Sequence, residues 1–278
     1  MGILVTRIRE HDEELELYRE LYGADAVDKR AFHNVGAGLF RHAAWTNIDH
    51  RSEWYSDNQV DISCDLLQCQ VWPIAESSSE VVYSSHTIEH ITDAAAQALF
   101  NEAYRILKIG GCIRLTTPDI ELYCRAMLGD DRHFWAPDIA MYSKPENLAP
   151  VGIGIPMNRV STKQLFLFAF ASQTSSLHAD ASTQKITDQE VEEIFRNRTL
   201  ESALDYCVSK CSVELHKKYP GNHINWWTET KLVRMLQEAG FRDIRRSAYA
   251  QSSCPVLRNT AFFDNTWPSI SLYVEARK

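Results

Sequence analysis

Two histidines four residues apart, His86 and His90, carry the most reactive side chains of the chain's central stretch. An imidazole titrates close to neutrality, so either can act as a general base toward a hydroxyl or a protonated amine. Glu89 stands beside His90. Upstream, Gly36-Ala37-Gly38 follows an apolar run, and Asp49 and Asp65 each close another. Gly-x-Gly lets a backbone turn tightly and approach a ligand, because neither glycine has a Cβ. A carboxylate just beyond the next strand can accept hydrogen bonds from both hydroxyls of a ribose. Ser84, Ser85 and Asp119 complete the polar set. This is chemistry for holding a nucleotide and moving a proton beside it.

These residues need strands to position them. Ala31–Val35 reads as a first strand and Trp45–Ile48 as a second, with Asp49 at its end. Val60–Cys64 is a third, followed by Asp65. Val81, Val82 and Tyr83 suit a buried fourth strand that ends at Ser84-Ser85-His86. Leu99, Ala103, Ile106 and Leu107 then recur at helical spacing, with Asp93 as N-cap or first-turn acid. Lys108 is expected in the last turn and Gly110-Gly111 as its stop. Ile113–Thr116 follows as a fifth strand, and Asp119 caps a helix or orients a ligand. Strand, helix and strand in this order form a right-handed parallel unit. Ligands of such sheets bind at the carboxyl ends of the strands, where the polar residues fall.

The link from Gly38 to Asp49 holds only ten residues. A dinucleotide fold places a full helix and about twenty residues there. Arg41 also occupies the position of the third fingerprint glycine. Both features weigh against a nicotinamide enzyme and replace the first helix by a turn or loop.

The segments SEVVYSSHTIEHI, NEAYRILKIGGCIRLTTPDI and TETKLVRMLQEAGFRDIRRSAY together resemble the class I S-adenosylmethionine (SAM)-dependent methyltransferases, and most closely the small "type 11" group. The resemblance runs from about Phe32 to Asp119 and resumes in the last fifty residues. It implies an α/β fold with a Rossmann-like seven-stranded sheet, mostly parallel, the last strand antiparallel between the fifth and sixth. It implies a cofactor site at Gly36, Ala37, Gly38, Asp49, Asp65, Leu66, Ser84 and Ser85. Asp65 would take the adenine amine and the Leu66 N–H a ring nitrogen, although Asp65 can equally cap a turn. His86 and His90 are the catalytic candidates, with a supporting role for the Glu89-His90 pair as the alternative. The cofactor would be SAM, its product S-adenosylhomocysteine, and the acceptor a small molecule such as a sugar or glycan precursor. The alternatives are a SAM-binding protein without transfer activity and a different doubly wound nucleotide enzyme.

The expected organisation is a core with an N-terminal helix over residues 1–128, a mainly helical insertion over 129–225, and a return to the core over 226–278. The insertion follows the fifth strand, where such chains place acceptor-binding lids. Within it, Thr162–Ala171 reads as a helix apolar nearly all round. Thr187 and Glu190 form a capping box for a helix to about Arg198, and a further helix covers Leu200 to about His216. Near the end, Gly240 stops a helix, Phe241–Tyr249 is the sixth strand and Ser271–Ala276 the seventh.

Of 278 residues, 45% are apolar and 24% charged, which suits a sizeable core. A net charge of −8 gives nucleic acid no general attraction. The Met-Gly start lacks the pattern of a signal peptide, and no apolar run is long enough to span a membrane. Seven scattered cysteines without a CxxC pair are expected as reduced thiols of a cytoplasmic protein. Cys207 and Cys211 share a helix face, but with only His216 nearby no metal site is expected.

Overall fold

The computed structural model describes residues 13–51 and 60–278. Its strands are β1 (Phe32–Val35), β2 (Trp45–Asp49), β3 (Ile62–Ser63), β4 (Ser79–Ser85), β5 (Leu107–Pro118), β6 (Arg242–Arg246) and β7 (Ser271–Arg277). They form one sheet in the order β3-β2-β1-β4-β5-β7-β6. β1 to β5 pair in parallel. β7 is antiparallel to β6. On its other side, the Gly110 N–H donates to the Lys278 carbonyl at 2.9 Å and the Lys278 N–H to that of Gly111 at 3.1 Å. Such a reciprocal exchange belongs to antiparallel neighbours. This is the seven-stranded Rossmann-like sheet expected from the sequence, with the strand order reversing between β1 and β4.

The chain divides into two compact units. One, the sheet unit, runs up to Thr87 and adds Ala94–Thr117 and Glu229–Lys278; the other, the helical unit, combines Ile88–Asp93 with Pro118–Thr228.

In the sheet unit, the helix Asp93–Ile106 buries Ala95, Ala96, Leu99, Phe100, Ala103 and Ile106. These recur at the three-and-four spacing that makes one apolar face, and each large side chain contributes roughly 1.5–3 kcal/mol. No helix forms between β1 and β2; residues 36–44 are turn and loop. Residues 13–22 are helical, while the start of the expected N-terminal helix lies outside the described residues.

Four expectations need correction. The helix after β4 stops at Ile106, and Lys108, Gly110 and Gly111 lie in β5 instead of ending it. The register jumps there, with Ser79 opposite Leu107 but Val81 opposite Cys112. β5 therefore bulges outward, and Gly110 supplies a φ of 80° for the detour. Lys108 pairs with Glu80 on the neighbouring strand. The helix expected over Leu200–His216 is two, Leu200–Val208 and Val213–Lys218. Gln173 Oε1 takes the Ser212 N–H at 2.7 Å, and the Ser212 hydroxyl caps the second helix at Leu215. β3 shortens to two residues, and β6 ends at Arg246.

After β6 the chain folds back on the sheet. Cys254, Val256, Leu257 and Phe263 join Phe32, Trp45 and Tyr83 in one core. Arg114 of β5 lies fully buried beneath this segment. Its guanidinium donates to Asp264 at 3.0 and 2.5 Å, to Glu275 at 2.8 Å and to the Ala248 carbonyl at 2.9 Å.

In the helical unit, Asp119 caps Ile120–Leu128, and Thr187 with Glu190 forms the expected capping box on Asp188–Asn197. Thr162–Phe170 is buried on nearly every side. All seven cysteines are free thiols. Among the described residues, no helix is long and apolar enough to cross a membrane.

Candidate active site

The glycine turn is fastened to the end of β2. Gly36 and Gly38 have φ of 69° and 55°, the region that glycine enters without strain. The Gly38 N–H donates to Asp49 Oδ2 at 2.8 Å, and the His50 N–H donates to Asp49 Oδ1 at 2.7 Å. Burial raises the Asp49 carboxyl, while these two N–H groups pull it back down. A carboxylate has about four lone-pair positions, so two remain for further donors.

Gly36 has no room for a side chain. A Cβ there would lie 2.1 Å from Thr87 Oγ1. The Thr87 hydroxyl itself donates toward the carbonyls of Ser85, Val35 and Gly36 at 3.2–3.4 Å. Thr87 thus closes the glycine turn from the end of β4. Sequence reading passed over it, although a hydroxyl one residue beyond His86 was a visible signal.

Asp65 follows β3 and caps the short 3-10 turn Leu66–Gln68, accepting from the Leu67 N–H and Gln68 Nε2, both at 3.0 Å. Beside it, Leu66, Cys69, Trp72, Ala95 and Leu99 line a small recess. At the end of β4, the Ser85 hydroxyl pairs with that of Thr116 at 2.7 Å. The Ser84 hydroxyl is buried with no hydrogen-bond partner among the described residues, a costly arrangement unless a ligand supplies one.

His86 has a φ of 49°, unusual for a residue with a Cβ. Its Nε2 lies 2.7 Å from Ser271 Oγ, whose own proton is directed at the Trp267 carbonyl at 2.8 Å. Nε2 is then the donor to Ser271, and Nδ1 is the basic nitrogen.

His90 belongs to the helical unit. Its Nδ1 donates to the Asn222 carbonyl at 3.0 Å. Burial and then the neighbouring His223 push it down to about 3, so it is neutral at physiological pH. The structure therefore groups Gly36, Ala37, Gly38, Asp49, Asp65, Leu66, Ser84, Ser85 and His86 in the sheet unit, and places His90 and Asp119 in the helical unit. His178 and His223, two imidazoles of the inserted region, are both engaged: His178 Nε2 with Asn222 Oδ1 at 3.0 Å, His223 Nδ1 with the Ala169 carbonyl at 2.6 Å.

Residues 41–115 match the family model described as a methyltransferase domain. Across that span the chain resembles a methyltransferase domain. Its strand order, with an antiparallel β7 between β5 and β6, is that of the class I methyltransferase fold. Three solved structures align with it: SAM-dependent methyltransferases of Thermotoga maritima (12% identity, 89% of this chain and 81% of that one, TM-score 0.38), Archaeoglobus fulgidus (10%, 89% and 85%, 0.40) and Mesorhizobium loti (14%, 89% and 90%, 0.37). The fold assignment rests on strand order and the family match. A search among curated proteins gave no match.

Proposed function

We propose that the chain transfers a methyl group from SAM to a hydroxyl of a small acceptor, a sugar or glycan precursor, and releases S-adenosylhomocysteine. The observation that carries this reading is the lock of Gly38 on Asp49 without an intervening helix. It presents a side-chain-free turn and a carboxylate with spare lone pairs at adjacent strand ends.

In this reading Gly36, Ala37 and Gly38 pass beside the amino-acid part of the cofactor, and Asp49 accepts from the ribose hydroxyls. Asp65 and the Leu66 N–H take the adenine edge, next to the recess lined by Leu66 and Trp72. The buried Ser84 hydroxyl and Ser85 hold the cofactor near its reacting end. When bound, SAM supplies a methyl carbon already activated by a positive sulfonium. The protein then has to align the acceptor oxygen with that carbon and exclude water. The oxygen bonds to the methyl carbon, the carbon–sulfur bond breaks with its electron pair going to sulfur, and the acceptor proton passes to a base. His86 is assigned that role through Nδ1. His90, the second catalytic candidate, is held neutral by burial and belongs to the helical unit. The helical region 129–225 is assigned to acceptor recognition.

Calorimetric titration with SAM, S-adenosylhomocysteine and NADH tests the cofactor half. Binding of both adenosyl ligands but not NADH, weakened in Asp49→Ala that retains its circular dichroism, is the expected result. Failure of the wild type to bind either, after denaturing extraction has excluded a co-purified ligand, overturns it. Release of S-adenosylhomocysteine with a panel of sugars and nucleotide sugars tests the acceptor. Cofactor binding with no turnover on any of them would leave a SAM-binding protein.

A further inference from the structure

Glu89, His90 and His223 come together inside the helical unit, and one ligand atom from each lies within 4.8 Å of the other two. Glu89 is 1% exposed. The Ile224 N–H donates to the Glu89 carbonyl at 2.9 Å and ties the two segments together.

Both rings are oriented in the same way. His90 Nδ1 faces the Asn222 carbonyl at 3.0 Å, and His223 Nδ1 faces the Ala169 carbonyl at 2.6 Å. A carbonyl only accepts, so Nδ1 carries a proton on each ring, and Nε2 is the nitrogen on the far side. An imidazole whose far nitrogen is fixed by a carbonyl is the usual support for a metal-binding histidine. Asn222 is pinned in turn, its amide donating to the Val151 carbonyl at 2.8 Å and its oxygen facing His178 Nε2 at 3.0 Å.

We infer that Glu89, His90 and His223 bind a divalent first-row transition ion of the zinc type. Two imidazoles and one carboxylate form a borderline donor set, whereas magnesium and calcium favour oxygen ligands throughout. Ligand atoms around tetrahedral zinc stand about 3.4 Å apart for bonds near 2.0–2.1 Å, so the side chains need to close by about an ångström. Three protein ligands leave a coordination position for an oxygen donor. The competing cluster, Cys207 and Cys211, has both thiols driven up to about 12 by burial. The inference does not rest on the cofactor reading.

The test is titration of chelator-treated full-length protein with zinc chloride, with metal content measured after desalting. One zinc per chain is expected, with a rise in Tm on addition of the ion. His223→Ala and Glu89→Gln should each weaken binding more than about 100-fold, beyond the 10–100-fold typical of outer-shell changes. The double substitution Cys207→Ser, Cys211→Ser should leave it unchanged. The cobalt form needs no variant: visible d–d bands without a thiolate charge-transfer band are expected. No retained metal and no Tm shift, a thiolate band, or binding that survives Glu89→Gln and His223→Ala would each overturn the assignment.

Discussion

The sheet unit and the helical unit spend their buried polar groups differently. In the sheet unit each charge has a structural contact: Arg114 lies between Asp264 and Glu275, and Asp49 holds the glycine turn. In the helical unit the buried polar side chains are mostly neutral hydroxyls and amides, and four imidazoles, His90, His178, His216 and His223, gather around the Asn222 segment. The first arrangement resists deformation, because removing one charge strands its partners. The second gathers imidazole rings, the material of the proposed metal site. The charges of the sheet unit thus hold a frame that also carries the proposed cofactor site, and the helical unit carries the proposed metal site.

The largest expected effect tests the frame. Arg114→Ala strands two buried carboxylates and should cost about 3–5 kcal/mol in chemical denaturation. A loss under about 1 kcal/mol would mean that water or local rearrangement replaces the guanidinium, and that the frame is softer than its geometry.

Next comes acid. Burial lowers His33, in β1, from 6.5 to about 4. The unfolded chain then binds a proton at a pH where the folded chain does not. The stability this histidine contributes is whole above pH 6.5 and is lost as pH falls toward 4, on the order of 3 kcal/mol in all. Asp138, in the helical unit, is raised by burial from 3.8 to about 6 and has the opposite sign: its contribution is present at low pH and lost as pH rises from 3.8 toward 6. Denaturation midpoints across pH 4–7 should show a flatter slope in His33→Asn and a steeper one in Asp138→Asn. Equal slopes in all three proteins would remove the electrostatic difference between the units.

Gly36→Ala should cost about 2 kcal/mol, since the new methyl meets Thr87 in a left-handed backbone conformation. It should also abolish SAM binding. Stability lost with binding kept would separate the glycine turn from the cofactor.

The same contrast decides what was legible in the sequence. The β1–Gly36–Asp49 arrangement is local, so apolar runs and turn residues reveal it. The capping box at Thr187 is local too. The Lys108–Gly111 bulge was misread because Lys-x-Gly-Gly after an apolar helix is also a good helix stop; only pairing with β4 and with Lys278 makes it strand. Arg114 left a trace, a charge amid the core residues of Ile113–Thr116, but its partners lie far downstream. Glu89 stands in the sequence only as the neighbour of His90, and nothing short of tertiary folding brings its carboxylate within 4.8 Å of the His223 ring nitrogen.

The smallest effects are the most discriminating. Thr187 and Asp65 are both N-caps, one in each unit. Thr187→Ala should cost about 1 kcal/mol, and Asp65→Ala no more than that, because its turn is a single 3-10 loop. Asp65→Asn keeps a capping oxygen and should be nearly neutral in stability. The two sites should part in ligand binding. Thr187→Ala should leave SAM affinity alone, whereas under the proposed adenine contact Asp65→Asn replaces a carboxylate by a weaker amide acceptor and should cost about tenfold, by the usual difference between charged and neutral hydrogen bonds. Calorimetry on the two variants reads this directly. If Asp65→Asn binds SAM as tightly as the wild type, Asp65 is a cap and nothing more, and adenine is held by backbone and by the apolar recess alone.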